Sequence, residues 1–286
     1  IGNKAEIALK QKIEKVGKPL KDWDVNIYRG VLTGFNKAFI INEAKRAELI
    51  EKDPKSEEII KPILRGRDIK RYGYDFKGLY LIGTFPALNL NIDDYPAIRD
   101  YLESFGKRLY QTGETFINEN GNRVKSRKCT GNKWFETQDQ IAYYPEFAKE
   151  KVVYPNMTKY RPFLYDNKKF FTNQKCFIMT GGNLKYLIAL LNSWLFEFAF
   201  KDKFPELRGG TRELSKIFFI KIPIPPITSE NRPIADEIES LVAEIINAKK
   251  ANPKAETTTL EAKIDQFVYK LYSLTKEEIK IIEESV

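Results

Sequence analysis

The spacing of hydrophobic residues changes along the chain, and each spacing predicts a type of element. Residues 4–16 place four apolar side chains at helical intervals before Gly17. This pattern predicts a short helix that ends at the glycine. We interpret the helix as a lead-in from a region upstream of the chain.

Short apolar runs typical of strands alternate with helical patterns from residue 23 to residue 226. Helical spacing predicts helices at 96–110 and 184–200, and the second has a broad apolar stripe that we expect to face the core. The prolines at 222–226 predict an extended connector, because proline continues neither a strand ladder nor a helix. The predicted strands are 25–28, 38–41, 79–82, 141–144, 152–154, 163–165, 176–179 and 217–220.

Two segments beyond the connector repeat one amphipathic pattern. Apolar residues fall at the same helical offsets in 234–246 and in 260–272, and Asn252-Pro253 separates the two segments. The repeat predicts a helical hairpin. Two Thr-x-x-Glu sequences predict capping boxes for its second helix and for a short last helix: Thr258 with Glu261, and Thr275 with Glu278.

These patterns together predict an α+β fold, with a mixed α/β domain followed by a C-terminal helical hairpin or bundle. We expect a lead-in at residues 1–22, the mixed domain at 23–228 and the helical domain at 229–286. Because a lone hairpin buries its apolar faces poorly, its helices should pack on the mixed domain, on an N-terminal region or on a partner protomer.

The distribution of charge along the chain indicates the kind of partner that the protein binds. The net charge is +9 over 286 residues, but residues 229–286 carry 8 Lys and Arg against 12 Asp and Glu. The first 228 residues therefore carry a net +13. A domain this basic indicates a polyanion such as nucleic acid. A generally basic surface is the alternative that composition leaves open.

The chain contains no histidine and two cysteines. The missing histidine excludes Ser/His and Cys/His nucleophile pairs and the commonest zinc ligand sets. Cys129 and Cys176 lie far apart and lack metal-ligand spacing, so we expect reduced thiols, no disulfide and no metal site.

Location and completeness are also expectations from the sequence. The longest apolar run, at 187–191, is too short to span a bilayer. We therefore expect a cytoplasmic protein without a membrane partner. Because the chain begins at Ile1 rather than methionine, we expect it to be a piece of a longer protein.

Several blocks of the sequence resemble, in order, the C-terminal specificity domain of TaqI-like and Eco57I-like adenine-N6 DNA methyltransferases and type II (IIG) restriction-modification enzymes. Each block is weak alone, but together they cover most of the chain. The blocks are GVLTGFNKAFII (30–41), KPILRGRDIKRY (61–72), KVVYP (151–155), LLNSWL (190–195), RGGTR (208–212), IPIP (222–225) and IDQFVYKLYSLT (264–275).

The resemblance implies a bacterial target-recognition domain that reads a short sequence in double-stranded DNA. The family's catalytic half carries an Asn/Asp-Pro-Pro-Tyr/Phe motif and an S-adenosylmethionine loop, and this chain has neither, since Pro225-Pro226 precedes Ile227. We therefore expect no catalysis or cofactor in this chain. S-adenosylmethionine, with Mg²⁺ as a further candidate if the parent also cleaves DNA, would belong to an N-terminal methyltransferase region.

Two segments are the main candidates for DNA contact. In 208–212, two arginines flank a glycine pair, and such a pair can take guanine edges or phosphates. In 156–162, amide and hydroxyl groups suit base edges, and cations suit phosphates. The alternative for 208–212 is an ordinary surface loop, and the alternative for 156–162 is an ordinary turn. The candidate residues are Asn156, Thr158, Lys159, Tyr160, Arg161, Arg208, Thr211 and Arg212.

Two other basic segments supply further candidates. The cations of 123–133 suit the phosphates of the DNA backbone. Within 33–71, residues 33–37 form a polar loop edge, and the cations of 65–71 either pair within the protein or contact phosphates. The candidates are Arg123, Lys125, Arg127, Lys128, Lys133, Thr33, Asn36, Lys37, Arg67, Lys70 and Arg71.

Two other functions stay open at this point. The chain could be the specificity subunit of a multisubunit restriction-modification complex, in which the paired helices act as assembly arms. It could also be a protein-interaction or RNA-binding module with an incidental basic face.

Overall fold

A computed structural model describes residues 4–285 of the chain. The helical part of the fold is concentrated towards the C-terminus. The α-helices are α1 (Lys4–Val16), α2 (Asn36–Phe39), α3 (Glu43–Lys52), α4 (Pro96–Glu103), α5 (Leu184–Asn192), α6 (Trp194–Phe200), α7 (Lys216–Phe219), α8 (Arg232–Ala251), α9 (Thr258–Leu271) and α10 (Lys276–Ser285). Short 3-10 turns link many of the elements.

The strands are short and belong to several small sheets. They are β1 (Lys18–Pro19), β2 (Val25–Arg29), β3 (Ile40–Asn42), β4 (Ile60–Leu64), β5 (Ile69–Lys70), β6 (Gly73–Tyr74), β7 (Leu79–Ile82), β8 (Thr115–Ile117), β9 (Arg123–Lys125), β10 (Lys151–Pro155), β11 (Met157–Thr158), β12 (Leu164–Asp166), β13 (Phe171–Thr172), β14 (Cys176–Gly181), β15 (Glu206–Leu207), β16 (Thr211–Glu213) and β17 (Pro223–Ile224).

Two four-stranded sheets organise the mixed region. One has the strand order β12-β10-β14-β2 and is antiparallel throughout. The other has the order β13-β4-β7-β3, in which β13 runs parallel to β4. Small antiparallel pairs join β5 to β6 and β8 to β9. The α+β class predicted from the sequence is confirmed.

The first sheet separates two hydrophobic cores. Val152 and Tyr154 of β10 face a core that also contains α1, α5, α6 and the C-terminal helices. Val153, between them, faces a second core built mainly from residues 31–109 and 135–178. Alternate side chains of a strand point to opposite faces, so a strand covered on both faces is apolar throughout.

The C-terminal helices share the first core with the sheet. Ile238 and Val242 of α8 and Ile264 and Val268 of α9 are buried there, together with residues of α5. The predicted boundary at residue 228 therefore marks a change of secondary structure within one continuous core. The described helices do not include one that is long and apolar enough to cross a membrane.

A buried ion pair fixes the edge of the first sheet. Lys151 and Asp166 pair in register across β10 and β12, and Lys151 Nζ lies 2.6 Å from Asp166 Oδ2 with both side chains fully buried. Lys151 also donates to the carbonyl of Phe147 at 2.6 Å. Burial lowers the pKa of Lys151, and Asp166 opposes that shift.

Three of the predicted strands are wrong. Residues 36–39 form the helical turn α2, so only Ile40–Asn42 is extended. Residues 141–144 cannot form a strand because Ile141 has a left-handed φ of 52°. Residues 216–219 form α7, in which Phe219 is buried while Ile217 is 62% exposed. The other predicted strands are present, with ends shifted by at most two residues, and 79–82 has the predicted bounds.

Both predicted helices of the mixed domain are interrupted. The helix from Pro96 ends at Glu103, and Gly106 follows with a left-handed φ of 54°. The helix from Leu184 breaks at Ser193, whose backbone is extended and whose hydroxyl accepts from the Phe196 N–H at 3.1 Å. Ser193 therefore caps a second helix rather than continuing the first.

The contacts of the proline connector and of the start of α9 differ from the predictions. The proline connector is extended, but Pro223–Ile224 pairs with Lys18–Pro19. A Cβ on Gly17 would lie 2.4 Å from the Pro223 carbonyl carbon, so glycine is required at this approach. Helix α9 starts at Thr258, and the Thr257 hydroxyl, not that of Thr258, donates to Glu261.

The capping box of the last helix is confirmed. The Glu278 side chain accepts from the Thr275 N–H at 2.8 Å, and the Glu278 N–H donates to the Thr275 hydroxyl at 3.3 Å. These reciprocal bonds satisfy two backbone donors at the start of α10.

Candidate nucleic-acid interface

The two main candidate segments are adjacent strands of one small sheet. Strand β11 pairs with β16, with Met157 opposite Glu213 and Thr158 opposite Arg212. Strand β15 continues the sheet on the other side of β16, with Leu207 opposite Thr211. Segments about 50 residues apart in the chain are thus held side by side by backbone hydrogen bonds.

The β15–β16 hairpin carries Arg208 at its tip. Gly209 and Gly210 follow it with φ values of 77° and 76°, a conformation that favours glycine. A Cβ on Gly209 would lie 3.8 Å from Lys159 Nζ. The backbone of the tip therefore lies next to a cation of the 156–162 segment.

This sheet forms one side of an open groove of about 620 Å³. The rest of its lining comes from the turn at 65–67 and the turn at 173–175, where the Lys175 carbonyl accepts from the Asn156 N–H at 2.7 Å. Six residues predicted from four separate parts of the sequence line this groove, which we call the recognition groove: Asn36, Arg67, Thr158, Lys159, Tyr160 and Thr211.

The recognition groove is strongly basic. Arg65, Arg67, Lys159 and Lys175 line it, and no acidic side chain of residues 4–285 does so. Arg65 is neutralised by Asp68, since its Nε lies 2.8 Å from Asp68 Oδ2. The other three cations are exposed and form no ion pair with any described residue. Three positive charges therefore remain available to an anionic ligand.

Polar groups at the groove are partly committed to local structure. The Thr158 hydroxyl donates to the Tyr160 carbonyl at 2.8 Å and accepts from the Tyr160 N–H at 3.2 Å. This turn holds the Tyr160 side chain outward, where it is 57% exposed. Asn156 is half-buried beside β11, and its Oδ1 has no hydrogen-bond partner among the described residues.

Six groove residues were not among the candidates predicted from the sequence: Arg65, Gly66, Pro155, Met157, Asn173 and Lys175. Met157 is 44% exposed inside the predicted 156–162 segment, but an apolar side chain gave no signal for polar contact. Asn173 and Lys175 lie in the turn before β14. Their position beside β11 depends on the sheet, which no local pattern reveals.

A second groove adjoins the first through α2. Asn36 lines the recognition groove, while the next residue, Lys37, lines an open cleft of about 730 Å³. Lys107 and Arg108 also line this cleft, beneath the β8–β9 pair. The candidates Arg123 and Lys125 are exposed on β9, and Lys128 is exposed just beyond it.

Three candidates are structural rather than available for DNA. Arg127 is 4% exposed and donates to the carbonyls of Leu109, Thr33, Trp134 and Glu136. Thr33 is 1% exposed, and its hydroxyl donates to Asn36 Oδ1 at 2.7 Å. Both are buried, contrary to the exposure that a DNA contact needs, and a basic or polar pattern does not report burial.

Arg161 is also buried, at 8% exposed. Its guanidinium lies 4.2 Å from the Trp194 ring centre and donates to the Asn192 carbonyl at 3.1 Å. Burial lowers the pKa of Arg161 to about 10. This side chain fastens the end of β11 to α6 and cannot reach a ligand in the groove.

The remaining candidates make partial structural contacts. Arg71 Nε lies 2.8 Å from Glu261 Oε2 of α9, and Arg212 lies 2.9 Å from Glu206 Oε2 within its own hairpin. Lys133 donates to Asn89 Oδ1 at 3.3 Å and Lys70 donates to the Arg67 carbonyl at 3.1 Å. Lys70 and Lys133 are still exposed, whereas the two arginines are half-buried.

Metal-ligating side chains are not grouped in the described part of the chain. No cluster of three or more His, Cys, Asp or Glu residues positioned for a metal occurs in residues 4–285. Both cysteines are free thiols, with Cys129 exposed and Cys176 buried. Burial raises the pKa of the Cys176 thiol well above its ordinary value.

A family model identifies the region that contains this geometry. The model of the TaqI-like C-terminal specificity domain matches residues 61–224, which is more than half of the chain. The chain belongs to the TaqI-like specificity-domain family. The matched region includes β11, β15 and β16, and therefore most of the recognition groove. The resemblance predicted from the sequence and the role in DNA recognition that it implied are confirmed.

Solved structures show the same fold in larger proteins. The type IIG restriction endonuclease BpuSI matches with a TM-score of 0.56 and 16% identity, over 95% of this chain and 34% of that one. The type IIL restriction-modification enzyme MmeI, solved in complex with DNA, matches with a TM-score of 0.59 and 12% identity, over 93% of this chain and 36% of that one. The specificity-domain chain thus spans about a third of their length. No curated protein sequence matches it.

Proposed function

We propose that the specificity domain binds double-stranded DNA in the recognition groove, with the β11–β16–β15 sheet as its base-reading element. The observation that carries the proposal is the pairing of 157–158 with 212–213 beside a groove whose exposed cations are unpaired. Paired strands hold side chains from two segments in fixed relation, as base recognition requires.

The cations have two roles in this proposal. Arg67, Lys159 and Lys175 contact phosphates, which supplies affinity without sequence preference. Arg208, at the glycine tip, reaches into a DNA groove and takes a guanine edge in bidentate fashion. The tip suits this role because Gly209 and Gly210 add no side-chain bulk next to the arginine.

The specificity domain works, in this proposal, beside a catalytic region outside residues 1–286. That region is an N-terminal methyltransferase part of the same protein or a partner subunit, and it holds S-adenosylmethionine, with Mg²⁺ as well if the parent protein cleaves DNA. Support comes from the share of BpuSI and MmeI that this chain spans. Adenine methylation requires the base to leave the duplex, so its pocket would lie in that region.

Duplex binding by charge-removing variants tests the groove. The affinity of the full chain for a labelled random duplex is measured by fluorescence anisotropy across a salt series. We expect Lys159→Gln to weaken binding about fivefold and to reduce the salt slope by about 1, since one phosphate contact is lost. Lys280→Gln, on exposed α10, is the control and should match wild type.

Sequence preference separates the two cation roles. Selection from a random duplex library should yield a preferred site for wild type, and Arg208→Gln should relax that preference at one position with about a tenfold loss of affinity for the site. Salt-sensitive binding without any preferred site would contradict base reading. Absence of duplex binding at low salt would contradict the proposal as a whole.

A transfer assay tests the assignment of catalysis. The full chain is incubated with tritiated S-adenosylmethionine and the selected duplex, and DNA label is counted. We expect no transfer by this chain and transfer once a methyltransferase region is supplied. Label incorporated by this chain alone would contradict the assignment.

A further inference from the structure

The β8–β9 pair is a two-stranded ribbon that projects over the second cleft. Its register places Phe116 opposite Val124, Ile117 opposite Arg123 and Thr115 opposite Lys125. Because alternate residues face opposite sides, Phe116 and Val124 share the face towards the cleft, where both are half-buried. The opposite face carries the exposed residues.

That outer face combines cations with one apolar side chain. Ile117 is 66% exposed, the largest exposure of a large apolar side chain among residues 4–285, and it lies at the rim of the cleft. Its cross-strand neighbour is Arg123, and Lys125 lies two residues further along the same face. An isoleucine held in water beside a cation has no role in the core of this domain.

The ribbon is anchored at its base. The Ser126 N–H donates to the Glu114 carbonyl at 2.9 Å and the Gly113 N–H donates to the Arg127 carbonyl at 2.8 Å. The Arg127 side chain then enters the core, as described above. The base is therefore rigid, while the outer face makes little contact with the body of the domain.

The tip is closed by its own hydrogen bonds. Asn118 Oδ1 accepts from the N–H groups of Asn120 and Asn122, at 3.1 and 2.8 Å. The Gly121 N–H donates to the Asn118 carbonyl at 2.9 Å. Of the four cations in segment 115–128, Arg127 is buried, whereas Arg123, Lys125 and Lys128 are exposed. The ribbon therefore keeps its shape without a partner, and its exposed cations lie on and just beyond β9.

We propose that this ribbon enters the major groove of the bound duplex and that Ile117 contacts the C5-methyl group of a thymine. The proposal rests on the proposed DNA-binding function and deepens it. Width selects the groove, since a major groove of about 12 Å admits a two-stranded ribbon and a minor groove of about 6 Å does not. The thymine methyl is the apolar group displayed in the major groove, and Arg123 and Lys125 face the flanking phosphates.

Thymine-to-uracil substitution tests the contact, because uracil lacks only the C5-methyl group. A site is first selected by the full chain from a random duplex library, and each thymine is then replaced in turn. We expect one replacement to weaken wild-type binding about fourfold, which corresponds to one buried methyl group. Ile117→Ala should bind the thymine and uracil duplexes equally, whereas Ile117→Val should keep most of the difference.

A control and two outcomes separate this inference from the proposed function. Ile7→Ala, at an exposed isoleucine of α1, should keep the full thymine preference, and unfolding curves should show that the Ile117 variants are folded. If wild type selects a site but every uracil duplex binds equally well, or if Ile117→Ala keeps the preference, the inference is overturned while the proposed function stands. If wild type does not bind duplex DNA, both are overturned.

Discussion

Replacing Arg127 with glutamine should destabilise the fold and leave the DNA-binding surface intact. The sequence places this residue in a basic run with Arg123, Lys125 and Lys128, as if all four contacted DNA. In the fold, its guanidinium lies 5.0 Å from the Phe39 ring centre and is surrounded by backbone carbonyls. The shorter, uncharged glutamine cannot reach the same acceptors.

The expected cost follows from the acceptors that lose a donor. Arg127 donates at 3.0 Å to Thr33, at 2.6 Å to Trp134 and at 2.6 Å to Glu136, and it also donates to Leu109. Only the Glu136 carbonyl keeps another side-chain donor, Gln111 Nε2 at 3.1 Å. An unsatisfied buried carbonyl costs about 1–3 kcal/mol, so three of them, partly reached by water, should cost about 4 kcal/mol.

Urea and thermal unfolding measure this cost. For a domain of this size, 4 kcal/mol corresponds to a fall in Tm of about 8 °C. Lys128→Gln removes the same charge from an exposed neighbour and should change the free energy of unfolding by less than about 0.5 kcal/mol. If Arg127→Gln were as stable as Lys128→Gln but lost DNA affinity, the burial argument would be refuted and Arg127 would be a DNA contact.

Three other predictions concern stability. Lys151→Met should lower the free energy of unfolding by about 4 kcal/mol in urea titrations, because Asp166 is left buried without its cation; a loss below about 1 kcal/mol would contradict this. Burial raises the pKa of Asp265 from 3.8 to about 6, so the folded state binds a proton more readily and this group destabilises the fold as pH rises from about 4 to 6. Asp265→Asn, whose amide oxygen can still accept from the Trp194 N–H, should gain stability over wild type across that range, and an equal difference at pH 4 and pH 7 would count against it. Gly17→Ala should cost about 2 kcal/mol in thermal unfolding because its Cβ meets the backbone of β17, and an unchanged Tm would disprove that close approach.

Helices with long amphipathic patterns were predictable from local spacing. Helices α1, α8, α9 and α10 lie where their apolar periodicity and breaks placed them. Short strand-like runs were less reliable, since 38–39 and 217–219 lie in helical turns. A four-residue apolar run satisfies either geometry, and the packing of residues such as Phe219 against the core decides between them.

For the candidate site, the residue types were predictable from the sequence but their accessibility was not. Its chemistry was readable, because arginine, lysine, asparagine and threonine beside glycines are the groups that contact DNA. The accessibility of these groups could not be predicted from the sequence. Arg123 and Arg127 have similar sequence surroundings, but Arg123 is exposed and Arg127 is buried among carbonyls. Periodicity within a loop carries no information on which cation turns inward.

The sequence by itself determined the family, the α+β class and the basic character of the first 228 residues, since these depend on residue types and their local order. Only the tertiary structure decided that 156–162 and 208–212 lie side by side, that Lys175 joins them, and that the β8–β9 ribbon exposes Ile117. The reason is physical: the recognition groove is formed by backbone pairing between segments about 50 residues apart, and such pairing is selected by the packing of the whole sheet rather than by any local pattern.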